Sequence, residues 1–196
     1  GAVNAAIALR QPGSSIKPLT YAAALDPQAP APLTAASMIL DVRSSFPTRE
    51  GDPYVPKNYD RLYHGPVSAR EALASSYNIP AVKVLQHVGL DRMITLARAL
   101  GISTFGQPDR YGLSLTLGGG EVRLLDMALA YSVFANGGHK VDPVAVLHVG
   151  DAQSNVLYQH TSQSGQPVLD PRVAYLITSI LSDNKARAPA FSEYSM

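Results

Sequence analysis

The chain is 196 residues long, 46% apolar and 16% charged, with a formal charge of +1. That suffices for one domain with a sizeable core and offers no basic surface for nucleic acid or an anionic membrane. It has no cysteine, which excludes a disulfide framework and a thiolate metal site, and its five histidines (His64, His87, His139, His148, His160) share no metal-ligand spacing. No run of about 18 apolar residues marks a membrane span and no signal peptide opens the chain. Both ends, Gly1-Ala2-Val3 and Tyr194-Ser195-Met196, read as cut.

In chain order, a turn-rich step at Arg10-Gln11-Pro12-Gly13-Ser14-Ser15 leads into the apolar run Leu19 to Leu25, whose consecutive alanines predict a buried helix. Prolines recur from Asp26 to Pro66 and leave no helical period. This stretch is expected to be an ordered excursion with a short strand at Ser37 to Val42, of a length that lines a site in a compact domain. Ser68-Ala69-Arg70-Glu71 is a capping box that opens a helix reaching Ala74 or Ser75. The chain breaks at Ser76 to Asn78 and restarts with Pro80 in a first helical turn, runs through Ala81 to His87 and stops at Gly89. Another helix spans Asp91 to Leu100, with Gly101 as its C-terminal glycine.

After Gly118-Gly119-Gly120, a helical stretch from Arg123 to Ala135 closes at Asn136-Gly137-Gly138. The triple glycine is no phosphate loop, since no Gly-Lys-Ser/Thr follows, and it reads as a tight turn under a helix. The period then changes to two. Val144 to Val149 and Val156 to Tyr158 flank Gly150 to Asn155 as a β-hairpin. Asp170-Pro171, a cap followed by a first-turn proline, starts a last helix that carries Val173 to Leu181.

Two constellations can carry chemistry. The first is Ser14-Ser15-Ile16-Lys17. A serine hydroxyl needs a base within hydrogen-bond reach, and helical residues three apart share a face. Burial would lower the lysine pKa towards that of a usable base, and the helix N-terminus favours negative charge on the reacting oxygens. Alone, Ser-x-x-Lys is unspecific. Pro18 disfavours a helical Lys17 unless the first turn begins there, so the register of this turn stays open. The second is Ser76-Tyr77-Asn78 at the helix break. Its hydroxyl can relay a proton and its carboxamide can hold a substrate amide by donating and accepting at once. The same residues also fit a helix end followed by an Asn N-cap.

Ser-x-x-Lys followed by Ser-x-Asn opens the series that Lys-Thr-Gly completes in β-lactamases and penicillin-binding proteins. The surroundings narrow this. Arg10-Gln11-Pro12-Gly13-Ser14-Ser15-Ile16-Lys17-Pro18 resembles the nucleophile segment of class A, bifunctional penicillin-binding proteins. So do Tyr54-Val55-Pro56-Lys57-Asn58-Tyr59-Asp60, His64-Gly65-Pro66-Val67, Arg70-Glu71-Ala72-Leu73 and Ser76-Tyr77-Asn78-Ile79-Pro80-Ala81-Val82. Tyr111 to Val122 and Tyr131 to Gly138 are similar to later segments of that family, and the resemblance runs from about Asn4 to Pro189. The triple glycine before Glu121-Val122 is most like the 1C subgroup.

The resemblance implies an α/β (α+β mixed) chain with the penicillin-binding protein/serine β-lactamase-like transpeptidase fold, here mostly its helical part plus a β-hairpin. Residues 1–196 would form an incomplete transpeptidase domain, cut at both ends. The implied activity is a serine D-Ala-D-Ala transpeptidase that needs no cofactor and no metal, in a parent that is also a peptidoglycan glycosyltransferase. Ser14 would attack the penultimate D-Ala carbonyl, Lys17 would take its proton, and Ser76 would pass it to the departing D-Ala. Asn78, with Ser15 and Tyr77, would bind substrate. Implied partners are peptidoglycan stem peptides ending in D-Ala-D-Ala and β-lactams, with cell-wall synthesis proteins as possible others. No nucleic acid is expected, and no membrane contact from this segment itself. The implied location is the periplasmic or extracytoplasmic face of a bacterial inner membrane, anchored through a segment outside this sequence.

The third motif is absent: none of Lys17, Lys57, Lys83, Lys140 and Lys185 precedes Thr-Gly or Ser-Gly. In the family that strand supplies one wall of the cleft and the second oxyanion donor, so the isolated chain is expected to be inactive or nearly so. Rival expectations are a D,D-carboxypeptidase or β-lactamase with water as acceptor, and a non-catalytic penicillin-binding sensor or scaffold. Tyr54 to Asp60 and the Arg10 to Gly13 lead-in favour the transpeptidase branch. Tyr54, Tyr59 and Tyr63 fit either a peptide groove or packing.

Overall fold

Lys17 precedes a proline yet is helical (φ −55°, ψ −42°), and this junction organises the molecule. The computed structural model describes residues 3–48, 51–161 and 164–192. A two-residue strand, β1 (Leu9–Arg10), leads into a 3-10 turn, Gly13–Ile16, that runs without a break into α1 (Lys17–Leu25). Pro18 then sits in the first turn of α1, where its missing N–H has no partner to lose. Every residue of α1 is buried. Its small Ala22, Ala23 and Ala24 let neighbouring helices approach closely, which makes α1 the axis of the core.

The excursion from Asp26 to Pro66 is more regular than its prolines suggest. β2 (Met38–Asp41) falls inside the strand expected at Ser37 to Val42, and it pairs antiparallel with β3 (Gly65–Ser68). β3 is not foreseen, because Pro66 argues against a strand; a two-stranded ribbon tolerates it, since one edge of β3 has no neighbour to receive an N–H. A bridge between Phe46 and Tyr54 closes the loop between them.

Half of the expected capping box forms among the described residues. Ser68 Oγ accepts the Glu71 N–H (3.1 Å) at the start of α2 (Ala69–Ala74). The next helix starts earlier than Pro80: α3 is Asn78–Val88, with Tyr77 at its N-cap. Gly89 then separates α3 from α4 (Leu90–Leu100), which ends at left-handed Gly101. β4 (Val122–Arg123) pairs with β1 and precedes α5 (Leu124–Ala135). A further short pair joins β5 (His139–Lys140) to β8 (Gln166–Pro167).

The hairpin is shorter than its apolar pattern predicts. β6 is His148–Gly150 and β7 is Val156–Gln159, so Val144 to Leu147 lie before the strand, and both strands are exposed. Asp170 caps α6 (Pro171–Leu181), its carboxylate accepting the Arg172 N–H (2.8 Å). A seventh helix, α7 (Asn184–Phe191), is absent from the sequence reading, which Pro189 inside it explains. Asp183 caps it by accepting the Ala186 N–H (3.0 Å). The described strands form four two-stranded pairs, and α1 is covered by α3, α4 and α6.

Burial holds this together. Ile16, Leu19, Ile79, Leu85, Ile94, Leu100 and Ile177 are fully buried in the core, each worth about 1.5–3 kcal/mol relative to exposure.

Candidate active site

The start of α1 and the break between α2 and α3 meet at one cleft. Ser14, Lys17, Pro18, Leu73, Ala74 and Ser76 line it, and Tyr131 from α5 and Leu181, Arg187 and Phe191 from the C-terminal segment complete it. Its volume is about 180 Å³. Ser14 is exposed in the 3-10 turn, where side chains three apart eclipse one another, so Lys17 stands directly behind it.

Lys17 is 1% exposed, although its side chain ends in an amine. Three acceptors hold Nζ: the Ser76 carbonyl (2.5 Å), Ser76 Oγ (3.1 Å) and Asn78 Oδ1 (2.7 Å). Desolvation by burial brings its pKa down from 10.5 to about 7. The charged form is penalised because few waters can solvate it. At neutral pH a large fraction of this amine is therefore neutral and can accept a proton.

Ser76 presents both of its groups to Lys17 by taking a left-handed conformation (φ +56°), which is rare for a serine and places strain at the site. Its N–H and that of Tyr77 close the end of α2 on the Leu73 and Ala72 carbonyls (both 3.0 Å). Asn78 is occupied at both ends of its carboxamide: Oδ1 accepts from Lys17 and Nδ2 donates to the Lys57 carbonyl (2.8 Å). Its side chain thus grips the Lys17 amine, with one N–H left for other partners. Among the described residues no hydrogen bond joins Ser14 Oγ to Lys17 Nζ, a spacing that commonly closes only when substrate is present.

Ser15 and Tyr77 stand apart from the cleft. Ser15 Oγ donates to the Pro12 carbonyl (2.7 Å), closing the turn. Tyr77 is 5% exposed and its ring stacks on His64 at 3.9 Å between centroids.

Several participants escape the sequence reading. The Tyr131 hydroxyl donates to the Ser15 carbonyl (2.9 Å), tying the turn that holds Ser14 to α5. The buried Thr20 and Thr116 hydroxyls share a 2.9 Å hydrogen bond that ties α1 to the 3-10 turn Leu113–Leu117. Arg187 and Phe191 reach the cleft from α7, itself docked by Ser75 Oγ donating to the Ala186 carbonyl (3.0 Å) and by Arg70 pairing with Asp183 (3.0 Å). An Asp183 cap followed by Lys185, Ala186 and Arg187 is the signal for this helix. Among the described residues no cluster of His, Asp or Glu can hold a metal ion, and no helix is long and apolar enough to cross a membrane.

A model of the penicillin-binding protein transpeptidase domain matches residues 3–191. Penicillin-binding protein 1A of Neisseria lactamica is 35% identical over 182 residues, which is 90% of this chain and 22% of that protein. The crystal structure of penicillin-binding protein 1A from Haemophilus influenzae superposes with a TM-score of 0.79 at 29% identity, covering 93% of this chain and 31% of that one. Penicillin-binding protein A of M. tuberculosis, solved as a penicillin G acyl-enzyme complex, gives a TM-score of 0.75 at 25% identity, covering 91% and 44%. The chain thus spans about a fifth of the length of the curated relative it matches. The Neisseria and Haemophilus relatives bear the designation 1A and lend no support to the 1C subgroup read from the triple glycine.

Proposed function

Since the chain belongs to the penicillin-binding protein transpeptidase family, we propose that it carries the acylating serine and base of a D,D-transpeptidase. The observation that carries this reading is the buried Lys17 amine, with a pKa of about 7, held on Ser76 and Asn78 in the cleft that Ser14 enters.

In the proposed reaction, neutral Lys17 takes the Ser14 hydroxyl proton as Oγ bonds to the penultimate D-Ala carbonyl carbon. The oxygen of the resulting tetrahedral intermediate carries the negative charge, and the Ser14 N–H would serve as one of its donors. The carbon–nitrogen bond then breaks. The proton on Lys17 passes through Ser76 Oγ, 3.1 Å away, to the departing D-Ala nitrogen. A neighbouring stem-peptide amine attacks the ester carbon and loses a proton to Lys17, which returns it to Ser14 Oγ as the ester carbon–oxygen bond breaks and the cross-link is formed. With a β-lactam the same attack opens the ring, and the nitrogen stays tethered to the acyl group.

Residues 1–196 would be the helical part of a longer transpeptidase domain whose Lys-Thr-Gly strand lies outside this sequence, in a protein facing the periplasm. The matched segment is 22% of the Neisseria lactamica protein, which supports this reading. The test is labelling by a fluorescent penicillin of the natural polypeptide that carries these residues, followed by peptide mapping. The adduct is expected on the peptide containing Ser14 and is expected to vanish in Ser14→Ala. Labelling that persists in Ser14→Ala would refute the assignment. Labelling without release of D-Ala from a stem peptide would favour a penicillin-binding sensor or scaffold.

A further inference from the structure

A buried carboxylate lies behind the active site and belongs to none of the steps above. Asp41, on β2, is fully buried. Its Oδ2 accepts the Asn58 side-chain N–H (2.7 Å) and the His64 main-chain N–H (3.1 Å), and lies 2.6 Å from His64 Nδ1. His64 reaches Asp60 with its other ring nitrogen (3.0 Å) while it stacks on Tyr77. Among the described residues, the remaining Asp41 oxygen has no hydrogen-bond partner. Burying such a group for stability alone is poor economy, since apolar residues of similar volume commonly serve as well.

The next link is Asn58, 4% exposed. Its Oδ1 accepts the main-chain N–H groups of Asn78 (2.8 Å) and Ile79 (3.2 Å). These are the first two orphan donors of α3, and Tyr77 at the N-cap position has no side-chain acceptor to offer them. The cap therefore comes from a residue 20 positions upstream. The adjacent Lys57 carbonyl holds the Asn78 side chain. Two consecutive residues thus grip Asn78 by backbone and by side chain, and Asn78 Oδ1 holds the Lys17 amine at 2.7 Å.

We propose that Asn58, anchored by the buried Asp41, is a positioning residue that fixes the Ser76–Asn78 turn and thereby the direction in which Lys17 Nζ points. Neither Asp41 nor Asn58 lines the cleft. The network acts through Asn78, and the inference rests on the reading of Ser14 and Lys17 as nucleophile and base. Besides this network, the other titratable groups lining the cleft around Lys17 are Tyr131 from α5 and Arg187 from α7.

The test measures penicillin acylation of the natural polypeptide as a time course at several drug concentrations. This separates the acylation rate constant, the drug's binding constant and the fraction of protein that labels. Asn58→Ala is expected to lower the rate constant roughly 10- to 100-fold, the scale of a misplaced catalytic group. The binding constant should stay within about twofold of wild type, an allowance made on the same footing. Asp41→Asn, isosteric and still able to accept from Asn58, should show a smaller fall in the same direction. A purely structural role predicts the opposite pattern, a smaller labelled fraction with an unchanged rate constant, and that result overturns the proposal. If Asn58→Ala gives no cooperative melt, Asp41→Asn decides. A wild-type rate constant there overturns the proposal, as does failure of both variants to fold. Absence of labelling in the wild type would instead overturn the acylation reading itself.

Discussion

A Cβ on Gly118 would stand 2.4 Å from Gly13 N and 2.6 Å from Gly13 Cα, so two glycine backbones touch one residue before the nucleophile. Gly118 also has φ +95°, which only glycine adopts without cost. Gly118→Ala should push Gly13 away and turn Ser14 out of line, lowering penicillin acylation by about 100-fold. Gly137→Ala is the control. It has φ +61° but meets nothing within 4 Å, so it should lose about 1–2 kcal/mol of stability and acylate at the wild-type rate. Equal acylation rates in the two variants would show that the contact does not position the serine.

The Lys17 amine fixes the sign of two pH dependences. In the proposed mechanism acylation requires the neutral amine, so its rate should rise with pH through about 7. For stability, the unfolded chain keeps this proton up to about 10.5, while the folded chain releases it near 7. Between these values the unfolded state binds more protons, and stability rises with pH. Relative to Lys17→Met, wild type should gain up to about 1.4 kcal/mol per pH unit between about pH 7 and 9. Denaturant melts of both proteins across this range check it. Above about pH 10 the buried Tyr21 phenol, its pKa raised by desolvation and by Asp41, lowers the stability of both proteins, so the comparison is made below that pH.

Ala23 on α1 is 1% exposed, in a helix buried on all sides. Ala23→Leu should destabilise the chain by about 1–3 kcal/mol through overpacking, despite the good helix propensity of leucine. A thermal melt equal to or above wild type would mean that the core around α1 holds unfilled space.

Arg70 joins α2 to the C-terminal segment through Asp183, the Ser179 carbonyl and Ser179 Oγ. Arg70→Ala should loosen α7 without disturbing the core, because no residue of α7 is buried. Trypsin cleavage after Lys185 or Arg187 is expected to speed up severalfold, with little change in Tm. An unchanged cleavage rate would assign the docking of α7 to Ser75 and the cap instead.

Legibility in the sequence follows the range of the interaction. Helices α4 and α6 announce themselves through local period and glycine or aspartate ends, and they fall within a residue or two of expectation. The hairpin is overextended in the sequence reading because Val144 to Leu147 look like a strand by pattern, whereas pairing starts at His148 opposite Gln159. Pro66 and Pro189 each mask a real element by a local rule that an edge strand and an exposed helix end can satisfy. At the site, Ser14, Lys17, Ser76 and Asn78 are legible because they belong to ordered motifs. The Asp41–Asn58–Asn78 network is not, since its bonds span 17 and 20 residues and leave no periodic trace.

None of the three partners that hold Lys17 is the nucleophile: they are two groups of Ser76 and one of Asn78. Forming an ester on Ser14 consumes none of them. On the proposed mechanism, the amine that accepts the first proton therefore keeps its seat while the donor peptide hangs from the serine, ready for the second substrate. A base clamped by its neighbours serves both halves of a two-step exchange without being rebuilt between them.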